Sequence, residues 1–116
     1  MSGGARGRMT MRAEIERNQA SATDAWGNPV VPAFAALATL ACWLWSRQRR
    51  VLADGDKTVI VEDLRALFPS GADVAAGDEI ARVKDRAGRE IFNGRFRIET
   101  IQRKPGHLEA ALVRLT

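Results

Sequence analysis

The chain is 116 residues long and 46% hydrophobic, enough to bury one core without covalent staples and too short for two domains. Its only cysteine, Cys42, excludes an intrachain disulfide and, between Ala41 and Trp43, reads as a small buried hydrophobe in a protein that suits a reducing cytoplasm. The net charge of +4 conceals a division: residues 1–50 and 81–116 are basic, whereas residues 51–80 hold seven acidic residues against Lys57 and Arg65, which argues against tight phosphate gripping by that middle third.

Residues 1–8 are rich in Gly, Ser and Arg and are expected to be mobile unless a partner orders them. Residues 9–20 are expected to form a short helix, with Thr10 as N-cap, Glu14 near the positive end, and Met11 and Ile15 on one face. Residues 21–32, centred on Trp26-Gly27-Asn28-Pro29, read as an extended connector whose prolines forbid regular pairing. Residues 30–45 are almost wholly apolar, yet a membrane span needs about 20 such residues. Pro32 and Thr39 interrupt the run, and the arginines follow it, where a secretory signal would place them before. No membrane is therefore expected as a partner.

From Ala36 to Trp45 the pattern is a strand with two apolar faces, Leu40, Cys42 and Leu44 on one and Ala41, Trp43 and Trp45 on the other. Such a strand is central in a closed barrel or covered on its second side by another chain. Residues 46–63 follow as a connection that is long for a hairpin. Within it Thr58, Val59, Ile60 and Val61 form a β-branched run bounded by charge, with no evident mate in a small barrel. An ordinary barrel hairpin is the other reading of the same stretch. Further strands are expected over 64–68, 79–84, 90–92, 95–102 and 108–115, with Asn93-Gly94 suited to a tight type I′ hairpin and Arg86-Ala87-Gly88 and Lys104-Pro105-Gly106-His107 as looser reversals.

The chemistry of an active site is not assembled in this sequence. His107 is the only histidine and is expected in a turn, and a cysteine inside an apolar strand has a raised pKa and little access. The adjacent pairs Glu62-Asp63 and Asp78-Glu79 point to opposite faces of a strand, so they cannot chelate together and read as solvated edges. Gly3-Gly4 lacks the strand, helix and lysine of a phosphate loop. No catalytic, cofactor-binding or metal-binding residue is assigned.

The fold expected is mainly β: an N-terminal arm over 1–35 containing the short helix, then a small β-barrel over 36–116 with a long inter-strand loop at about 46–63. The two-faced strand with Trp43 and Trp45, the long connection, Leu67-Phe68-Pro69-Ser70-Gly71-Ala72-Asp73-Val74, Gly77-Asp78-Glu79-Ile80 and Gly106-His107-Leu108-Glu109-Ala110 together resemble the head completion, or stopper, proteins of long-tailed bacteriophages. Arg12-Ala13-Glu14-Ile15 and the Trp26 turn strengthen the likeness, which lies in the order of strands and turns. The resemblance implies a non-enzymatic virion protein, made in the host cytoplasm and placed at the head-tail junction. It would form a homo-oligomeric ring, a dodecamer, between a portal-side adaptor protein and a tail-side protein, around packaged double-stranded DNA.

By position between strands, the channel loop implied is Asp54, Asp56, Lys57, Thr58, Val59, Ile60, Val61, Glu62 and Asp63. Its carboxylates would repel DNA phosphates, and its β-branched run would pair between subunits. The implied subunit interface is Trp43, Trp45, Arg47, Arg49 and Arg50, the arginines meeting carboxylates of neighbouring copies rather than phosphate. Two other classes stay open. One is a nucleic-acid-binding barrel using Arg82, Lys84, Arg86, Arg89, Arg95, Arg97, Arg103 and Lys104, and the other is a different connector layer, an adaptor or tail terminator.

Overall fold

The computed structural model describes residues 9–20, 23, 25–28, 30–52, 55, 57–92 and 94–115; the N-terminal tail 1–8 and Asn93 of the expected type I′ turn lie outside them. Seven antiparallel strands follow in chain order: β1 (Met11–Asn18), β2 (Phe34–Leu52), β3 (Thr58–Pro69), β4 (Glu79–Lys84), β5 (Glu90–Phe92), β6 (Phe96–Lys104) and β7 (His107–Arg114). Six of them form a ring, β1-β2-β3-β7-β6-β4, that returns to its start because β4 also pairs with β1, while β5 lies against the far end of β4. The protein is mainly β, a single rolled sheet, and no described helix is long and apolar enough to cross a membrane.

The expected N-terminal helix is instead the first strand of the ring. Along β1, Ala13 and Ile15 point inward and are fully buried, while Glu14 and Glu16 point outward and form ion pairs with Lys84 and Arg95. Helix propensity favours Met-Arg-Ala-Glu, but a short helix with one narrow apolar stripe cannot hold itself together in water. As a strand, the segment has both backbone edges satisfied, by β2 on one side and β4 on the other. The ring therefore begins at Met11 and not at Ala36. Residues 19–33 are an excursion between β1 and β2, closed at its base by Gln19 N–H donating to Ala33 O at 2.8 Å. The Asn18 carboxamide oxygen reinforces that closure, accepting from Ala20 N–H at 3.0 Å and Ala33 N–H at 2.9 Å.

The core fills the ring. Cys42 and Leu44 from β2, Phe68 from β3, Ile80 and Val83 from β4, and Phe96 and Ile98 from β6 are at most 1% exposed. Burying each of these side chains contributes about 1.5–3 kcal/mol of transfer free energy, which is the main force holding six short strands closed. Strict alternation along β6 would point Thr100 inward with Phe96 and Ile98. A register shift between Ile98 and Thr100 changes the phase, so that Ile101 packs against the core.

Two charge clusters tie the wall together. Arg17 on β1 donates from Nε and Nη2 to the two carboxylate oxygens of Asp78, each at 2.9 Å, and from Nη2 to Asp73 at 3.1 Å. Asp78 is buried and also accepts from Ala75 N–H at 2.9 Å, so the β3–β4 connection is anchored to β1. Arg95 joins Glu79 to Glu16. The pair Asp78-Glu79 is thus no solvated edge: its members do face opposite ways, and each meets an arginine brought from far along the chain. The Pro105-Gly106 reversal is also tighter than expected. Lys104 pairs directly with His107, and φ of +82° at Gly106 gives a two-residue turn that a proline at its first position requires to be non-primed.

Candidate functional site

One hairpin leaves the ring. β2 pairs with β1 only as far as Cys42, and β3 pairs with β7 only from Leu64 onward, yet β2 and β3 continue to pair with each other from Ser46↔Leu64 out to Leu52↔Thr58. Residues 46–52 and 58–63 are therefore a free two-stranded ribbon, about 20 Å long at the usual rise per residue. The radius of gyration of 16.4 Å exceeds the roughly 13 Å of a compact chain of this length, in keeping with such a projection.

The long connection expected over 46–63 is thus the ordinary hairpin of the second reading, made long. The orphan run of Thr58 to Val61 has its mate in β2, as Leu52↔Thr58, Val51↔Val59, Arg50↔Ile60 and Arg49↔Val61. A hydrogen bond marks where the ring lets go: Leu44 N–H, just past the end of β1, donates to Met11 Sδ at 3.3 Å. With period two, the backbone groups of Ser46, Gln48 and Arg50 turn to that same side, where no strand follows.

The ribbon carries apolar side chains into solvent. Leu52 is 76% exposed and Ile60 62%, with Val51, Val59 and Val61 also exposed. Such a row on a strand with free edges is a template for pairing with another chain. At the root, Trp43 and Trp45 lie on the outer wall beside the outward-facing Leu67, opposite Leu67 and Arg65 respectively. Trp43 is 36% exposed and Leu67 only 7%.

Of the expected acidic lining, Glu62 and Asp63 are among the described residues. Asp54 and Asp56 lie outside the described residues. Glu62 and Asp63 are at the root of the ribbon, and both are engaged. Glu62 accepts from Arg114 Nε at 3.2 Å and from Ser46 Oγ at 2.8 Å, and these bonds hold its carboxyl below the usual glutamate value. Asp63 pairs with Arg65 at 3.1 Å and Arg47 at 3.8 Å. Farther out, Arg49, Arg50 and Lys57 are exposed and have no carboxylate partner among the described residues. Gln48, Arg49, Arg50 and Ile60 line an open cleft of about 230 Å³ on the ribbon.

Elsewhere the chemistry is quiet. Burial pushes the Cys42 thiol up to about 12, against a small opposing effect of Arg12, so it is neither exposed nor ionised. His107 is the half-buried first residue of β7. No cluster of metal-ligating side chains occurs among the described residues. The Arg17–Asp78 and Arg114–Glu62 contacts were not legible beforehand, since 61 and 52 residues separate their partners. The class that fold and site define is a small closed β-structure bearing a projecting apolar and basic ribbon. No protein-family model and no curated protein sequence matches the chain.

Proposed function

We propose that the chain is a structural, non-enzymatic protein of a virion head-tail connector, of the stopper kind it resembles, made in the host cytoplasm and working at the head-tail junction. Copies assemble as a ring, with twelvefold symmetry matching a portal-side adaptor above and a tail-side protein below, around packaged duplex DNA. The single observation that supports this is the ribbon: a ring of six strands, closed by its own hydrogen bonds, extends into a projection with free edges and exposed Leu52 and Ile60. A solitary protein gains nothing from that projection, and edge strands of this kind are normally blunted. Repetition around a symmetry axis brings identical ribbons to one axis, where they act together.

A nucleic-acid-binding barrel using the face named above is less well supported. Of its eight basic residues, Lys84, Arg89, Arg95, Arg97 and Lys104 are already in ion pairs with carboxylates of the same chain. Electron microscopy of the virion neck tests the connector reading. The expected image is a single ring of this chain with its ribbons pointing to the axis. Ribbons on the outer rim, or no such ring in the neck, would contradict it.

A further inference from the structure

The described carboxylates of this chain are almost all paired. Among the described residues every Asp and Glu except Glu90 sits in an ion pair. The basic side chains are in excess, and Arg49, Arg50 and Lys57 are gathered on the one element that leaves the ring. Among its described carboxylates, a neighbouring copy has only Glu90 outside an ion pair to offer them.

We infer that the ribbon grips duplex DNA through Arg49, Arg50 and Lys57, by direct, salt-dependent contacts to phosphate, and does not act as an acidic surface that the duplex slides past. Three features select duplex DNA. A two-stranded ribbon is of a width that the major groove admits, and guanidinium groups are suited to phosphate. Arg49 and Arg50 are adjacent in a strand and project from opposite faces, so a ribbon set between two phosphate walls uses both, whereas a flat anionic surface would meet only one. Residues 46–63 contain no aromatic side chain, which removes the stacking platform that single strands need and the interfacial anchors typical of membrane-seated elements. At the open edge, the backbone amides of Gln48 and Arg50 add donors facing outward beside the cleft those residues line.

This deepens the connector proposal, because a ring with inward ribbons presents these residues to the duplex, but it needs only the free chain to be tested. The experiment titrates the full chain with a short mixed-sequence duplex across a range of salt concentrations. Alongside it are run Arg49→Ala/Arg50→Ala/Lys57→Ala, its charge-preserving counterpart Arg49→Lys/Arg50→Lys, and Arg82→Ala/Arg86→Ala/Arg103→Ala on the ring. The ribbon variant is expected to bind more weakly and to lower the slope of log K against log salt by about 2–3, one phosphate contact for each residue removed. The lysine variant and the ring variant are expected to keep the slope.

An unchanged slope in the ribbon variant overturns the inference. So does a loss confined to the ring variant, tighter binding of single strands than of duplex, or preference for anionic phospholipid vesicles over duplex. Sedimentation of the same samples separates the two ideas: a ring that forms without binding duplex defeats this inference alone, and duplex binding by a protein absent from the virion neck defeats the connector reading alone.

Discussion

The ring and the ribbon share two strands and differ in almost every physical respect. Within the ring, β2 passes from pairing with β1, as far as Cys42, to pairing with β3, from Trp43, and buries Cys42 and Leu44 completely. A few residues later its partner β3 has lost its own second neighbour, β7, and every β2 side chain from Ser46 onward is exposed. Charges follow the same division. On the ring many are matched, as in Arg17 with Asp78 and Arg95 with Glu79, whereas on the ribbon Arg49, Arg50 and Lys57 have no carboxylate partner among the described residues. The stability of the fold therefore resides in the ring, and the ribbon is a surface held out for something else.

The largest effect that sharpens this contrast is Phe96→Ala. Phe96 is fully buried, with Arg114 stacked over its ring at 5.0 Å to the centroid. Truncation is expected to cost about 3–5 kcal/mol, read as a lowered urea midpoint. Asp78→Asn comes next. It removes the charge that receives both Arg17 donors in a buried place, and the expected loss is about 1.5–3 kcal/mol by the same measurement. If Ile60→Ser on the ribbon cost as much as either, the division would be wrong, because an exposed substitution of this kind should shift stability by less than about 0.5 kcal/mol.

A smaller effect tests the root. Glu62 has its carboxyl pKa lowered by Arg114 and Ser46 from the ordinary value of 4.5, so its contribution is present in full above that value. It is lost as pH falls below it and passes through the lowered folded value. Hydrogen exchange of residues 46–52 and 58–63 should accordingly quicken in acid for the native chain relative to Glu62→Gln. The variant lacks the contact throughout and should show no extra acid step from this group. Parallel acid profiles in the two proteins would mean that Glu62 does not hold the root.

Much of the ring was legible in the sequence. Alternation in 79–84, 90–92 and 108–115 located β4, β5 and β7, because period two with one apolar face is the signal a half-buried strand emits. The strand of 36–45 was recognisable from its two apolar faces, which the closed ring explains on the Cys42 side and the Trp43, Trp45 and Leu67 surface on the other. β1 was misjudged because Met11 and Ile15 fit a helical stripe as well as alternate strand positions, and only β2 and β4 decide between them. The ribbon was located by length and by its β-branched run, but its pairing was left between two readings, since Arg47 to Arg50 carry no strand-like alternation. Its electrostatics were misjudged for a similar reason: counting Glu62 and Asp63 as free charges ignores Arg114 and Arg65, which only the fold brings near.

The division between scaffold and working surface is tested most directly by cutting the ribbon back. In this variant residues 49–61 are replaced by a two-residue Asn-Gly turn, so that Gln48 and Glu62 close the hairpin. The shortened chain is predicted to keep a urea midpoint close to that of the native protein, and, on the connector proposal, virions that carry it in place of the native chain lose their DNA or fail to acquire tails. Collapse of the fold on shortening, or full virion yield from a folded shortened protein, would contradict the account.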